Sequence, residues 1–543
     1  MKKGQNKARP RPFTMKKFDN LCMAFYNGPS ECKRENCKFV HDLDQFLAEK
    51  ADDIGPVCPI YSTRGFCARG LTCRFAKHHM DENKKNLKQD WYDEAAAAVD
   101  SVNQLPAGLQ MTLRKKAYDF QRSKDIVKKY KVSNTESEKM PEHPSCDKES
   151  EDCPDMVNSN ETKRLGCSLD YDVIKQRSCE KRQVDFRDKL VLSPLTTVGN
   201  LPFRRICKEF GADITCGEMA CVVPIINGTM QEWALVRRHA SEDIFGVQLC
   251  GNNADLITYA AQILSETCDI DFVDLNIGCP IDLIYKQGAG SALIRRTNVL
   301  ESIVRSCSEV LNGTPFTVKT RTGIYANKNV AHELVPKFEK WGAKAVTIHG
   351  RSREQRYTKN SDWIYIEECA KQAKSIPIIG NGDILSYDDY AECKRIAPTV
   401  SSHMIGRGAL YKPWVFKEIK EQKSIDMTSS ERFEMLQKYV NYGLDHWGSD
   451  TRGVEITRKF LLEWQSFLYR YVPYGLLESP PQKINQRPVI YRGRDEMETL
   501  MASNNCADWI KLSEMLLGKV PDNFNFIPKH KANSYLEADN FNG

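Results

Sequence analysis

Between Val184 and Lys423, short apolar runs alternate with amphipathic stretches, and this alternation constrains the fold more than any other feature. The runs are Leu190–Pro194, Ile214–Cys216, Phe245–Leu249, Phe272–Asn276, Thr317–Thr320, Ala345–His349, Ile376–Gly380 and His403–Ile405. Short runs rich in β-branched residues suit parallel strands covered on both faces. Leu201–Phe210, Ala254–Glu266, Asn329–Trp341 and Trp363–Ala373 carry helical periodicity between them. Eight such alternations over about 230 residues predict an α/β chain closed as a (β/α)8 TIM barrel. An open doubly wound sheet more often has fewer strands and a Gly-x-Gly-x-x-Gly first turn, and neither is present.

The flanks read differently. Residues 1–19 form a basic arm, with seven Lys or Arg and no acid in the first 17 positions. Such an arm suits a solvated tail or a polyanionic partner. Residues 20–80 are rich in Cys and His. Residues 81–183 read as polar helices, Ala95–Ala98 inside the first, followed by a Ser/Asn/Glu/Asp-rich linker too poor in apolar side chains to bury a core. After the barrel (184–423), residues 424–543 form a C-terminal helical domain, clearest at Ser429–His446, Gly453–Tyr471 and Ala507–Leu516. There Arg432, Arg458 and Arg470 alternate with Tyr439, Trp464 and Phe467. An ordinary helical bundle accounts for that pattern, and a nucleic-acid surface is compatible with it but not demanded by it. No run of 18 apolar residues occurs, so no membrane partner is expected, and the basic start does not resemble a secretory signal.

Twenty cysteines in a chain of 543 residues do not suggest a disulfide framework. Six have metal-ligand spacing: Cys22-x9-Cys32-x4-Cys37-x3-His41 and Cys58-x8-Cys67-x5-Cys73-x4-His78. Three thiolates and one imidazole make a closed tetrahedral zinc site, and a segment this small needs the metal to fold. His79 competes with His78, and spacing favours His78. The pattern resembles the tandem CCCH zinc-finger class. In that class the aromatic after the third Cys, here Phe39 or Phe75, can stack on an unpaired base; the alternative is a filler for a tiny core. Lys33, Arg34, Lys38, Arg64, Arg69 and Arg74 favour RNA.

Active sites of TIM barrels lie at the C-terminal strand ends. Here those ends carry Pro194, Leu195 and Thr196; Gln248; Asn276 and Cys279; Lys319 and Arg321; His349 and Arg351; Asn381, Gly382 and Asp383; and Gly406 and Arg407. The glycines after the last two strands, with Arg407, form a phosphate cradle. A phosphate there would set a flavin over the barrel mouth, with Lys319 and Gln248 at its pyrimidine edge. No second dinucleotide motif is visible, so FMN is expected rather than FAD.

Ser193-Pro-Leu-Thr-Thr, Asn276-Ile-Gly-Cys-Pro, Lys286-Gln-Gly-Ala-Gly, His349-Gly-Arg-Ser-Arg-Glu-Gln-Arg-Tyr and Asn381-Gly-Asp-Ile resemble the motifs of the dihydrouridine synthases. The resemblance also takes in the CCCH pair, His446-Trp-Gly-Ser-Asp and Glu514-Met-Leu-Leu-Gly. It implies FMN-dependent reduction of a uridine in tRNA with NADPH or NADH as reductant. Cys279 would be the proton donor, and Asn276, Lys286 and Arg351 would position the substrate. His349 would meet the flavin, and the helical tail would dock tRNA.

Two other classes compete. A flavoenzyme acting on a free pyrimidine would share the barrel and a catalytic Cys, but needs no fingers. A CCCH RNA-binding protein with a dead barrel would have no need of Cys279 or Lys319. A monomer is expected, in the cytoplasm or nucleus. Messenger RNA stands open as a further substrate, and so does the choice between NADPH and NADH.

Overall fold

A computed structural model describes residues 9, 11–15, 20–93, 101–131, 184–357, 359–474, 476, 489–522 and 524–529. Eight parallel strands close on themselves: β1 (Leu190–Leu192), β2 (Ile214–Cys216), β3 (Ile244–Cys250), β4 (Phe272–Asn276), β5 (Phe316–Arg321), β6 (Ala345–His349), β7 (Ile378–Asn381) and β8 (Ser402–Ile405). Each pairs with its neighbours in chain order, and β8 returns to β1 through Met404 opposite Val191. A two-residue strand, Ala220–Cys221, adds to β3. All eight predicted strands are present, three with the expected ends and five with ends shifted by one or two residues.

The helices follow the same pattern. α1 (Leu201–Glu209), α2 (Ala254–Thr267), α3 (Thr297–Val310), α4 (Ala331–Trp341), α5 (Trp363–Gln372) and α6 (Tyr387–Ile396) ring the barrel. Asn200, Asn253, Asp362 and Ser386 cap α1, α2, α5 and α6, each accepting from a backbone N–H in the first turn.

Residues 101–131 belong to the barrel wall rather than to a detached segment. Ser101–Val102 pairs with Arg238–His239. Asn103 donates to the carbonyls of Val236 and Asp269, and Ser123 donates to Gln262 of α2 at 2.5 Å. The helix Gln121–Tyr130 buries Ile126 and Val127. The expected helix at Ala95–Ala98 and the linker from 132 to 183 lie outside the described residues.

The C-terminal helices α7 (Ser429–Trp447), α8 (Thr451–Leu468) and α9 (Cys506–Leu517) pack on one flank of the barrel. Trp464 is the anchor. It is fully buried, stands edge-on to Phe203 of α1, and donates its indole N–H to the Leu410 carbonyl just past β8. Arg432 and Arg458 are buried in ion pairs with Glu498 and Glu455, so these charges serve packing. Among the described residues, no helix is long and apolar enough to cross a membrane.

Candidate active site

The C-terminal end of β4 is held by a chain of side-chain amides. Thr317 and Gln248 donate to the two carboxylate oxygens of buried Asp274, at 2.6 and 2.7 Å. The Asn276 amide N–H donates to Gln248 Oε1 at 2.8 Å. Asn276 Oδ1 then accepts the backbone N–H of Cys279 at 2.8 Å and of Gly278 at 3.1 Å. Two backbone donors on one oxygen fix the orientation of that amide. Gln248 and Asn276 each keep an amide N–H for a bound group.

Cys279 sits at the end of this chain, 8% exposed. Its carbonyl accepts from the Ser291 hydroxyl at 2.8 Å, and Arg321 Nε donates to the Gly278 carbonyl at 2.7 Å. Gly290 has φ +59°, and a Cβ there would stand 3.0 Å from Cys279 Cβ. The Lys286–Gly290 turn is therefore pressed against the thiol-bearing residue. Burial raises the thiol pKa, against smaller opposing pulls from a backbone N–H and Arg321. The thiol is protonated at neutral pH, as a proton donor must be.

A cationic wall faces it. Lys319 Nζ donates to Asn381 Oδ1 at 3.0 Å, and Asn381 Nδ2 donates to the Met404 carbonyl. Burial lowers the Lys319 pKa to about 8, with Asp274 pulling the other way. His349 is buried beside Arg321, Lys319, Arg351 and Arg407. Burial first, then those cations, hold it well below its ordinary range. It therefore stays neutral at physiological pH. Asp383 takes Arg351 on one oxygen at 2.5 Å and Arg407 on the other at 2.6 Å. Burial alone would raise this carboxyl, but Arg351 and Arg407 hold it below its usual value.

These residues fit a phosphate-bearing flavin. Arg407 Nη1 is buried with no partner. Gly382 has φ +139°, and a Cβ there would collide with Ser361 Oγ. At Gly406 a Cβ would find only ordinary contact with the protein, so its bare backbone is spare for a ligand. Pro194, Leu195 and Thr196 border the same mouth, partly or fully exposed. Lys286 is exposed at the rim. Arg351, expected at the substrate, is buried and donates to Asp383 and to the Lys359 carbonyl. Two participants escaped the sequence reading. Asp274 organises Gln248, and half-exposed Tyr357 lies under the Arg407 guanidinium, 4.6 Å from ring to charge. Tyr357 closes the His349 motif, which was the available signal.

Residues 191–468 match the family model described as dihydrouridine synthase (Dus). The chain belongs to the dihydrouridine synthase family. A Xenopus laevis protein named "tRNA-dihydrouridine(47) synthase [NAD(P)(+)]-like" is 51% identical over 540 residues, covering 98% of this chain and 83% of that one. Relatives of the same name from Homo sapiens and Arabidopsis thaliana are 48% and 41% identical, covering 98% and 96% of this chain and 84% and 86% of theirs. The similarity therefore takes in the fingers and helical tail as well as the synthase barrel.

In this synthase the two Cys/His clusters are assembled. Cys22, Cys32, Cys37 and His41 bring their ligand atoms together, as do Cys58, Cys67, Cys73 and His79. Sulfur separations of 3.6 to 3.8 Å match the ~3.8 Å edge of a tetrahedron with 2.3 Å Zn–S bonds. His79, not the expected His78, completes the second cluster. His78, partly buried, accepts the Cys58 backbone N–H on Nδ1 at 3.1 Å and packs edge-on against Tyr61. His79 is fully buried. Its Nδ1 lies 2.8 Å from Asn86 Oδ1, and its Nε2 has no hydrogen-bond partner. An orphaned buried nitrogen beside three thiols fits a metal, and the Asn86 contact sets the tautomer that leaves Nε2 free.

Proposed function

We propose that this chain reduces the C5–C6 bond of a uridine in tRNA, at position 47, with FMN as its flavin, NADPH or NADH as reductant and zinc in both Cys/His clusters. The position is that of the named relatives. Bound FMN would supply a hydride to C6 of the uracil, with NAD(P)H as its reductant. Lys319 and Gln248 would hold the flavin's pyrimidine edge, and Gly382, Gly406 and Arg407 its phosphate.

The rest of the chemistry falls to the protein. Hydride arrival at C6 leaves negative charge at C5 and O4. Cys279 quenches it by giving its proton to C5, and protons from solvent restore the thiol. Asn276 keeps the thiol loop in place and offers its spare N–H to the uracil. Neutral His349 supports the site without adding a charge. Exposed Lys286 is free to meet the phosphate of the extruded nucleotide, helping to offset the few kcal/mol of unstacking.

The protonated, loop-held thiol of Cys279 at the end of β4 carries this reading. A free pyrimidine would need neither the rim lysine nor the fingers, which favours the RNA substrate. An accessible uridine in messenger RNA would meet the same groups. We propose residence in the cytoplasm or nucleus and a monomer as the working unit. Mass-spectrometric mapping of tRNA from cells lacking this protein tests the proposal. Dihydrouridine at position 47 should vanish; its persistence would refute the assigned position.

A further inference from the structure

The two clusters, alike in spacing, sit in opposite environments. In the second, the arginines that sequence offered to RNA are bonded within the protein. Arg64 pairs with Asp445 at 2.9 Å, Arg69 reaches Asp450 at 3.5 Å, and Arg74 Nε donates to the Asp52 carbonyl at 2.9 Å. The Arg74 backbone N–H donates to the Ser449 carbonyl, and Cys67 Sγ stands 3.3 Å from Ser449 Oγ. Phe75 is buried at 7% exposure. This unit is docked on the turn between α7 and α8.

The first cluster does not share that docking. Phe39 is 44% exposed and Met23 66%. Lys33, Arg34 and Lys38 are exposed and form no ion pair among the described residues. Glu31 and Glu35 lie in the same segment, so its charge surplus is small and the aromatic face must supply most of any affinity. The first cluster is also held firmly by the second. Leu71 packs with Leu21 and Phe46, and its N–H donates to the Tyr26 carbonyl at 2.8 Å. At Gly70, with φ +45°, a Cβ would overlap that same carbonyl oxygen.

Building on the tRNA reading above, we propose that the fingers divide the work. The second is a bracket bolted to the helical domain. The first is the nucleic-acid contact, presenting Phe39 as a stacking platform for an unpaired RNA base. Because the bracket fixes the platform before RNA arrives, little ordering is left for binding to offset.

The test is fluorescence anisotropy with unmodified tRNA and the full chain. Phe39→Ala should weaken binding roughly 5- to 160-fold, the factor carried by one base–aromatic stack. Zinc content, flavin absorbance and bleaching by NADPH should stay at wild-type levels. Phe39→Tyr should restore affinity. Phe75→Leu should lower the melting temperature and zinc retention, and the folded fraction should bind tRNA as wild type does. Lys77→Gln, on the exposed side of the second finger, should change affinity less than twofold. Wild-type affinity in Phe39→Ala overturns the proposal, as does a larger loss in Lys77→Gln. A wild-type chain that bleaches with NADPH yet binds no tRNA would refute the substrate reading itself, and this inference with it.

Discussion

The barrel's two ends are built from the same eight strands and follow opposite rules. Toward the N-terminal end, Phe186, Val191, Ile214, Phe272, Ile379 and Met404 form an apolar cluster, with Phe186 edge-on to Phe272. At the C-terminal end, the same strands deliver Gln248, Asn276, Lys319, Arg321, His349 and Asn381. One end gains stability by removing apolar surface from water. The other holds partly desolvated cations and a buried carboxylate, which stability alone would not select. The difference separates what keeps the chain folded from what it does.

The sharpest way to break this comparison is a pair of substitutions at opposite ends of β4. Cys279→Ala should lower dihydrouridine formation by about 10²- to 10⁴-fold, the range for loss of a positioned acid. Its melting temperature, flavin content and tRNA affinity should match wild type. Undiminished product would remove Cys279 from the acid role. Phe272→Ala should do the reverse. Its ring fills the space over Gly246, where even a Cβ would lie 2.1 Å from it. Removing it should cost about 3–5 kcal/mol in urea unfolding, with turnover per folded molecule preserved. If both variants lost turnover and stability together, the two ends would not be separable.

Both ends could be read in the sequence, for different reasons. Parallel strands covered on both faces are written as continuous apolar runs, so Val191, Ile214 and Phe272 announced themselves. Cys279, Lys319 and Asn381 stood out because polar residues interrupt those runs at the same relative place. What stayed hidden depends on partners distant in the chain. His79 rather than His78 follows from Asn86, which holds His79 Nδ1, and from the Cys58 N–H that occupies His78 Nδ1. Arg64 and Arg69 read as RNA contacts until Asp445 and Asp450, almost 400 positions away, appear beside them. The bonds of Arg351 to Asp383 and to the Lys359 carbonyl likewise form only in the closed barrel.

Asp383 offers a test within the functional end. Asp383→Asn removes the charge shared by two largely buried guanidinium groups and should cost about 2–4 kcal/mol in the flavin-free protein. The folded-state pKa of this carboxyl is depressed, so its contribution is present above the ordinary carboxylate range and fades as pH falls through its folded value. The gap between variant and wild type should therefore be full at pH 7 and shrink in acid. A gap that does not change with pH would mean that the pairing is not what the variant lost.

Lys319 is the subtlest case, because the same burial that serves the flavin works against folding. Its pKa falls from 10.5 to about 8, so between those values the unfolded chain holds a proton that the folded chain has released. Stability from this group therefore rises with pH across that window, and below about pH 8 the buried ammonium is a full penalty. Lys319→Met removes the ammonium and keeps the aliphatic stem. At pH 7 the flavin-free variant should be more stable than wild type by about 1–3 kcal/mol. The advantage should narrow as pH approaches 10. The same variant should bind flavin more weakly and turn over more slowly. Greater stability with poorer chemistry would be the signature of a residue kept for function. A variant less stable than wild type at pH 7 would instead make Lys319 part of the scaffold, and the division between the two ends would fail at its centre.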